Sequence, residues 1–231
     1  MDIKNKVVIV TGASGGICLA AAKELARKGA KVVVAARSAD TLAELAKELP
    51  DSLAVPTDMT KPEEIKNLIE KTVEKYGRID VLVNNAGRGM YAPIASTDLG
   101  EYRNIVELNV YGPLLAMQEA IPVMRNQGGG TIVNVSSLVS KNHFPNLGAY
   151  ASTKYALNAL SFTAREELAK DKITVCVVHP KMTATNFGAN ALGSRPDRNA
   201  PSRPMPQVDT PEKVAEAITK IIESGEAEVM V

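Results

Sequence analysis

Short runs of β-branched and other apolar residues alternate along the chain with longer amphipathic stretches. The runs cover residues 6–11, 31–35, 53–55, 80–84, 131–136 and 173–178, with a weaker one at 228–231. Nearly every position within them is apolar, without in–out alternation. Strands of that composition are buried on both faces, as in a parallel sheet covered by helices. The stretches between them carry helix signals. Thr41 with Glu44 and Thr60 with Glu63 have capping-box spacing. Thr210 before Pro211 fits an N-cap followed by proline at the first helical position, and Gly29 and Gly77 stand as C-terminal stops. Repeated βα units predict an α/β fold, a Rossmann-type doubly wound parallel sheet of about seven strands with helices on both faces. No repeat or composition break divides residues 1–231, so one domain is expected. Residues 188–208 are rich in Gly, Pro, Asn and Ser, and the stretch 186–208 is expected to form a substrate-side lid loop.

Composition narrows the function classes. Lys plus Arg total 27 and Asp plus Glu 26, so the net charge of +1 gives no electrostatic footprint for nucleic acid or an anionic membrane. Six Tyr, three Phe and no Trp are a poor supply for a base-stacking platform. Cys18 and Cys176 are too few for a disulfide framework, and no His, Cys or Asp cluster has metal-ligand spacing. Only four apolar residues, 7–10, follow the charged N-terminus, so no signal peptide is expected. No run approaches the length of a membrane span. The expected compartment is the cytoplasm.

The first strand leads into Thr11-Gly12-Ala13-Ser14-Gly15-Gly16-Ile17-Cys18, and a helix follows. Glycines there let backbone approach a pyrophosphate, and the helix N-terminus offers free N–H groups and a positive dipole end. Gly12, Ser14, Gly15, Gly16 and Ile17 are therefore candidate cofactor contacts. The second strand ends Ala35-Ala36-Arg37-Ser38. An acid at that strand end would receive the ribose hydroxyls of NAD, whereas an Arg accommodates the extra phosphate of NADP. Ala36 offers no carboxylate, and Arg37 and Ser38 offer a cation and a donor. NADP(H) is the expected cofactor, with NAD(H) as the alternative.

These residues resemble the short-chain dehydrogenase/reductase family, whose turn reads T-G-x-x-x-G-x-G. Thr11, Gly12 and Gly16 match, while Cys18 replaces the third glycine. That replacement carries the expectation of weakened cofactor affinity. It also raises the question of a redox-active thiol, with a small packed side chain as the plainer reading. Asp58 matches the family's adenine-binding acid, and Asn84-Asn85-Ala86-Gly87 matches the N-N-A-G of its compact subclass, making Asn85, Ala86 and Gly87 cofactor contacts. After the sixth strand, Pro180, Thr183 and Thr185 resemble the segment that touches the nicotinamide carboxamide, although Lys181 replaces a glycine. His179 reads as a polar residue before a turn.

Tyr150 and Lys154 lie four apart in a helical pattern, so both project from one face. Reducing a ketone leaves charge on its oxygen, and a proton donor must stand within hydrogen-bond reach. Free tyrosine, near pKa 10, must come down by about 3 units, or roughly 4 kcal/mol. One ammonium at about 4 Å supplies a similar amount at an effective dielectric near 20, but burial opposes it. The family resemblance adds Ser137, thirteen residues before Tyr150, and Asn109. It implies that Tyr150 is the general acid/base and that Lys154 lowers its pKa and holds the nicotinamide ribose. It also implies that Ser137 steadies the carbonyl oxygen, that Asn109 supports a water-borne relay, and that the chain forms a homodimer or homotetramer. The expected activity is hydride transfer between a nicotinamide and a carbonyl or secondary alcohol. The alternatives are a non-catalytic dinucleotide sensor on the same fold and an extended-type epimerase or dehydratase. Residues 88–93, 138–147 and 186–208 are expected to choose the substrate.

Overall fold

The computed structural model describes residues 1–193 and 208–231. Seven strands form one sheet in which every neighbouring pair is parallel. In chain order they are β1 (Val7–Thr11), β2 (Lys31–Ala36), β3 (Leu53–Pro56), β4 (Val81–Asn84), β6 (Gly130–Val135), β7 (Ile173–His179) and β9 (Glu228–Met230). Their spatial order is β3-β2-β1-β4-β6-β7-β9. Two further short strands, β5 (Met90–Tyr91) and β8 (Leu192–Gly193), pair as a separate parallel ribbon. Two residues each give no periodicity to read, which is why the sequence did not signal them.

The uniform apolarity of the strands has a simple cause, because both faces of the sheet are covered. Val8 and Val10 face a layer of α1 (Gly16–Arg27), α2 (Ala39–Glu48) and α7 (Pro211–Ser224). Val7 and Ile9 face α3 (Pro62–Tyr76), α5 (Gly112–Asn126) and α6 (Gly148–Leu168). Alternate residues thus enter different apolar layers, and neither set can be polar.

Two helix starts differ from expectation. Helix α2 begins after Ser38, so Thr41 lies inside the helix rather than capping it. Helix α3 begins after Lys61, which is extended because a residue before proline disfavours the helical region. Thr60 instead donates its hydroxyl to Asp58 Oδ1 at 2.8 Å. Thr210 does cap α7, accepting from the Lys213 amide at 3.3 Å. Gly77 ends α3 at φ +73, and Gly29 follows α1 at φ +85. The expected lid falls largely on residues 194–207, which lie outside the described residues. No helix among the described residues is long and apolar enough to cross a membrane.

Candidate active site

The spatial order turns around β1, which lies between β2 and β4. Segments leaving the two sides of such a point part from one another and open a crevice at the C-terminal ends of the strands. Every candidate site residue leaves the sheet at that edge or stands on a helix packed over it. The glycine turn follows β1, Arg37 and Ser38 follow β2, and Asp58 follows β3. Residues 85–87 follow β4, Ser137 follows β6 and Pro180 follows β7.

The glycine turn is tight. Gly12 has φ +75, and a side chain there would come within 3.1 Å of the Ala86 Cα. Gly16 has φ +57 and would meet Thr185 at the same distance. The turn therefore touches both the segment after β4 and the one after β7. Gly15, the N-cap of α1, has nothing within 4 Å of where its Cβ would stand. An open, side-chain-free position at a helix N-terminus fits the pyrophosphate of a dinucleotide. Thr11 clamps this region from below. Its hydroxyl donates to the Val83 carbonyl at 3.3 Å and accepts from the Asn85 and Ala86 amides at 3.1 and 3.2 Å. Thr11 was not among the candidate contacts, although it opens the matched turn.

Cys18 is fully buried in the layer that α1 shares with α7, and burial pushes its thiol well above the usual range. Its side chain is committed to the core rather than to the phosphate face. Cys18 is the small packed side chain of the plainer reading, and a thiol without solvent or thiolate character is unreactive, which sets the redox alternative aside. Asp58 is pushed upward by burial. Two hydrogen bonds from Thr60 and the nearby charges of Arg37 and Lys61 outweigh this and hold the carboxyl below its ordinary range. Arg37 and Ser38 are exposed beside the buried Ala36.

Asn109 lies in a π-helical turn, Glu107–Tyr111, between α4 (Leu99–Val106) and α5. Such turns carry one surplus residue and are frequent at functional sites. The side chain is fully buried. Its Oδ1 accepts from the Arg88 amide, and its Nδ2 donates to the Arg88 carbonyl, both at 2.9 Å. Nδ2 also donates to Thr153 Oγ1 at 3.1 Å. Asn109 thus pins the segment after Gly87 to α6. Thr153, absent from the candidate list, is one residue before Lys154 and three after Tyr150.

Tyr150 stands in the first turn of α6 and is 7% exposed. Burial drives its phenol well above the usual tyrosine value, a hydrogen bond with Ser137 pulls the other way, and Tyr91 adds to the rise. Lys154, one turn on, is 4% exposed and donates to the Val135 carbonyl at 2.8 Å. Burial lowers it to about 8. Without the cofactor, then, burial governs both groups, and the expected downward pull of Lys154 on Tyr150 does not prevail. Ser137 also accepts from the Val139 amide at 3.3 Å. Pro180 accepts from the Leu138 amide at 2.9 Å, fastening the segment after β7 to the Ser137 turn. Thr183 donates to the Lys181 carbonyl at 3.1 Å. Phe187 lies against Tyr150 with ring centroids 5.6 Å apart, and its ring edge would stand 3.0 Å from a Cβ added at Gly89. The β5–β8 ribbon ties that segment to residues 90–91.

Comparisons with known proteins agree with this architecture. The family model for short chain dehydrogenase matches residues 6–194. An uncharacterized oxidoreductase of Methylorubrum extorquens is 40% identical over 196 residues, covering 83% of this chain and 78% of that protein. The NADH complex of 3-ketoacyl-(acyl-carrier-protein) reductase from Brucella melitensis superposes with TM-score 0.90 at 29% identity, covering 99% of this chain and 97% of that one. The Thermococcus sibiricus alcohol dehydrogenase, complexed with 5-hydroxy-NADP, gives 0.87 at 28% identity over 99% and 96% of the two chains. With its parallel seven-stranded sheet and the match across most of its length, the chain belongs to the short-chain dehydrogenase/reductase family of oxidoreductases.

Proposed function

We propose that the protein is an NADP(H)-dependent oxidoreductase that interconverts a carbonyl and a secondary alcohol through Asn109, Ser137, Tyr150 and Lys154. The observation that carries this reading is Tyr150, a buried phenol hydrogen-bonded to Ser137 and one helical turn from a buried Lys154. The nicotinamide, when bound, supplies or accepts the hydride at the substrate carbon. Tyr150 gives its proton to the developing alkoxide, or takes one in the reverse direction. Ser137 donates to the same oxygen. Lys154, with its pKa near 8, remains mostly ammonium at neutral pH, where it holds the nicotinamide ribose and offsets phenolate charge. Asn109 keeps Arg88 and Thr153 in register beside these groups and supports a water-borne proton relay.

For the cofactor, Ala36 leaves the strand end without a carboxylate, and the exposed Arg37 and Ser38 suit a phosphate. The solved relatives hold NADH in one case and an NADP derivative in the other, so the family fold serves both dinucleotides. Asp58, Asn85, Ala86, Gly87, Pro180, Thr183 and Thr185 complete the cofactor contacts in this reading. The same reading makes the protein cytoplasmic and oligomeric through α5 and α6. A groove of about 400 Å³, lined by Leu114, Met117, Ile121 and Leu160 among others, runs between those helices.

The test is oxidation of NADPH and NADH, side by side, with a panel of ketones and aldehydes. Tyr150→Phe should abolish turnover while cofactor binding, followed by fluorescence, stays within about twofold. A general acid contributes about a hundredfold or more, so a variant that keeps over about a tenth of the rate means another group donates the proton.

A further inference from the structure

His179 ends β7 with its side chain wholly buried, and the reaction proposed above makes no use of it. Its ring is held at both nitrogens. Nε2 lies 2.8 Å from Glu228 Oε2 on β9, and Nδ1 lies 3.2 Å from Ser140 Oγ. Lys141 Nζ stands 2.8 Å from the same Glu228 oxygen, so this carboxylate is anchored twice. Burial lowers the imidazole below its ordinary value, the Glu228 hydrogen bond works against that, and the Lys141 charge adds to the lowering.

Ser140 is the junction. Its Oγ accepts from Ser136 Oγ at 3.1 Å and lies 2.6 Å from the Ser137 carbonyl oxygen and 3.2 Å from His179 Nδ1, so with Nε2–H turned to Glu228 its one proton is shared between those two acceptors. The Ser140 amide also donates to the Ser137 carbonyl, at 3.0 Å. One hydroxyl has one proton and two lone pairs, so a turn held this way has few alternative arrangements. The turn closed by these bonds is the one that presents Ser137 to Tyr150. A chain of contacts therefore runs from the edge strand β9 through Glu228, His179 and Ser140 to the backbone of Ser137.

We propose that His179 is a positioning residue for Ser137, fixing the Ser137–Ser140 turn through Ser140 while Glu228 fixes the ring. This rests on the Ser137–Tyr150–Lys154 reading for its catalytic consequence. It does not rest on that reading for the geometry. A displacement near 1 Å at a reacting centre costs about a hundredfold in rate, so loosening this turn lowers kcat and leaves the cofactor half of the site alone.

The experiment compares His179→Ala, His179→Asn, His179→Gln and Glu228→Gln in the full chain. An Asn amide reaches the place of Nδ1 and can still meet Ser140, whereas a Gln amide reaches toward Nε2 and meets Glu228. His179→Ala should lose about ten- to a hundredfold in kcat with the KM for NADPH within about twofold. His179→Asn should recover most of that loss and His179→Gln little of it. Amide hydrogen exchange at Val139 and Ser140 should quicken in His179→Ala, a readout that needs no turnover. Unchanged kcat and unchanged exchange in folded variants overturn the proposal, as does equal rescue by Asn and Gln. Glu228→Gln, a change on the half-exposed edge strand, covers the case in which His179→Ala fails to fold. Exchange and kcat like the parent protein's in Glu228→Gln would count against the brace. Turnover surviving in Tyr150→Phe would sink only the catalytic reading, and the exchange result would still decide whether His179 holds the turn.

Discussion

Lys154→Met isolates the cost of burying an ammonium in this site. The amine in the cofactor-free protein titrates near 8, against an ordinary value of 10.5, because the side chain has left water. Between those two values the unfolded chain binds more protons than the native one, so native stability rises with pH across the window 8–10.5. Below 8 the full penalty applies, about 3 kcal/mol at 1.36 kcal/mol per pKa unit. Methionine keeps the apolar stem and removes the titration. It also strands the Val135 carbonyl, a loss of about 1–3 kcal/mol that does not depend on pH, since a neutral amine still donates. Urea unfolding of both proteins without cofactor, at pH 7, 8, 9 and 10, measures the difference. The parent should gain about 2.5 kcal/mol on the variant between pH 7 and 10. Tyr150 contributes with the opposite sign. Its raised value keeps it protonated when the unfolded phenol ionises, so stability falls above pH 10, but equally in both proteins. Parallel stability curves, separated by a constant offset, would refute the reasoning.

The cofactor preference and the burial of Cys18 have their own tests. Ala36→Asp places a carboxylate at the end of β2, which should weaken NADPH and favour NADH. The ratio of their kcat/KM values should move by about ten- to a hundredfold, the worth of one charge-assisted hydrogen bond gained and one phosphate repelled. Cys18→Gly should lower stability to urea by about 1–2 kcal/mol, through lost helix propensity and lost packing, with NADPH affinity unchanged. Native Cys18 should resist thiol reagents that label the unfolded chain, and rapid native labelling would contradict its burial.

How far the sequence carried the argument depended on which physical force set each feature. Strands buried on both faces must be apolar throughout, so β1, β2, β4, β6 and β7 were legible to within a residue or two. The glycine turn was legible because a positive φ at Gly12 and Gly16 selects glycine. Helix starts were less so. Capping-box spacing at Thr41 and Thr60 occurs without the structure, because Ser38 and Lys61 already lie where the chain turns into the helix. Nothing in Glu107-Leu108-Asn109-Val110-Tyr111 announces a π-turn. The partners that hold Asn109 there, Arg88 and Thr153, are distant in sequence. The Thr11 clamp and the His179 chain escaped for the same reason. Both are made of ordinary polar residues whose partners are known only once the strands are side by side. The electrostatics of Tyr150 and Lys154 also needed the fold, since spacing gives their common face but not their burial.

The π-turn at 107–111 bears on how this gene can change length. An α-helix advances 100° per residue, so deleting one residue there would let α4 run into α5 as regular helix. The backbone would accept that shortening readily. The flanking helices would accept it as well, because the wider turn already absorbs the surplus residue, so Ile105 and Met117 would keep the faces they bury. What the deletion would remove is the widened turn itself, and with it the placement of Asn109 against Arg88 and Thr153. The surplus residue thus serves the site rather than the packing of the helix pair: a chain shortened here would keep its fold and lose its grip on the segment after Gly87.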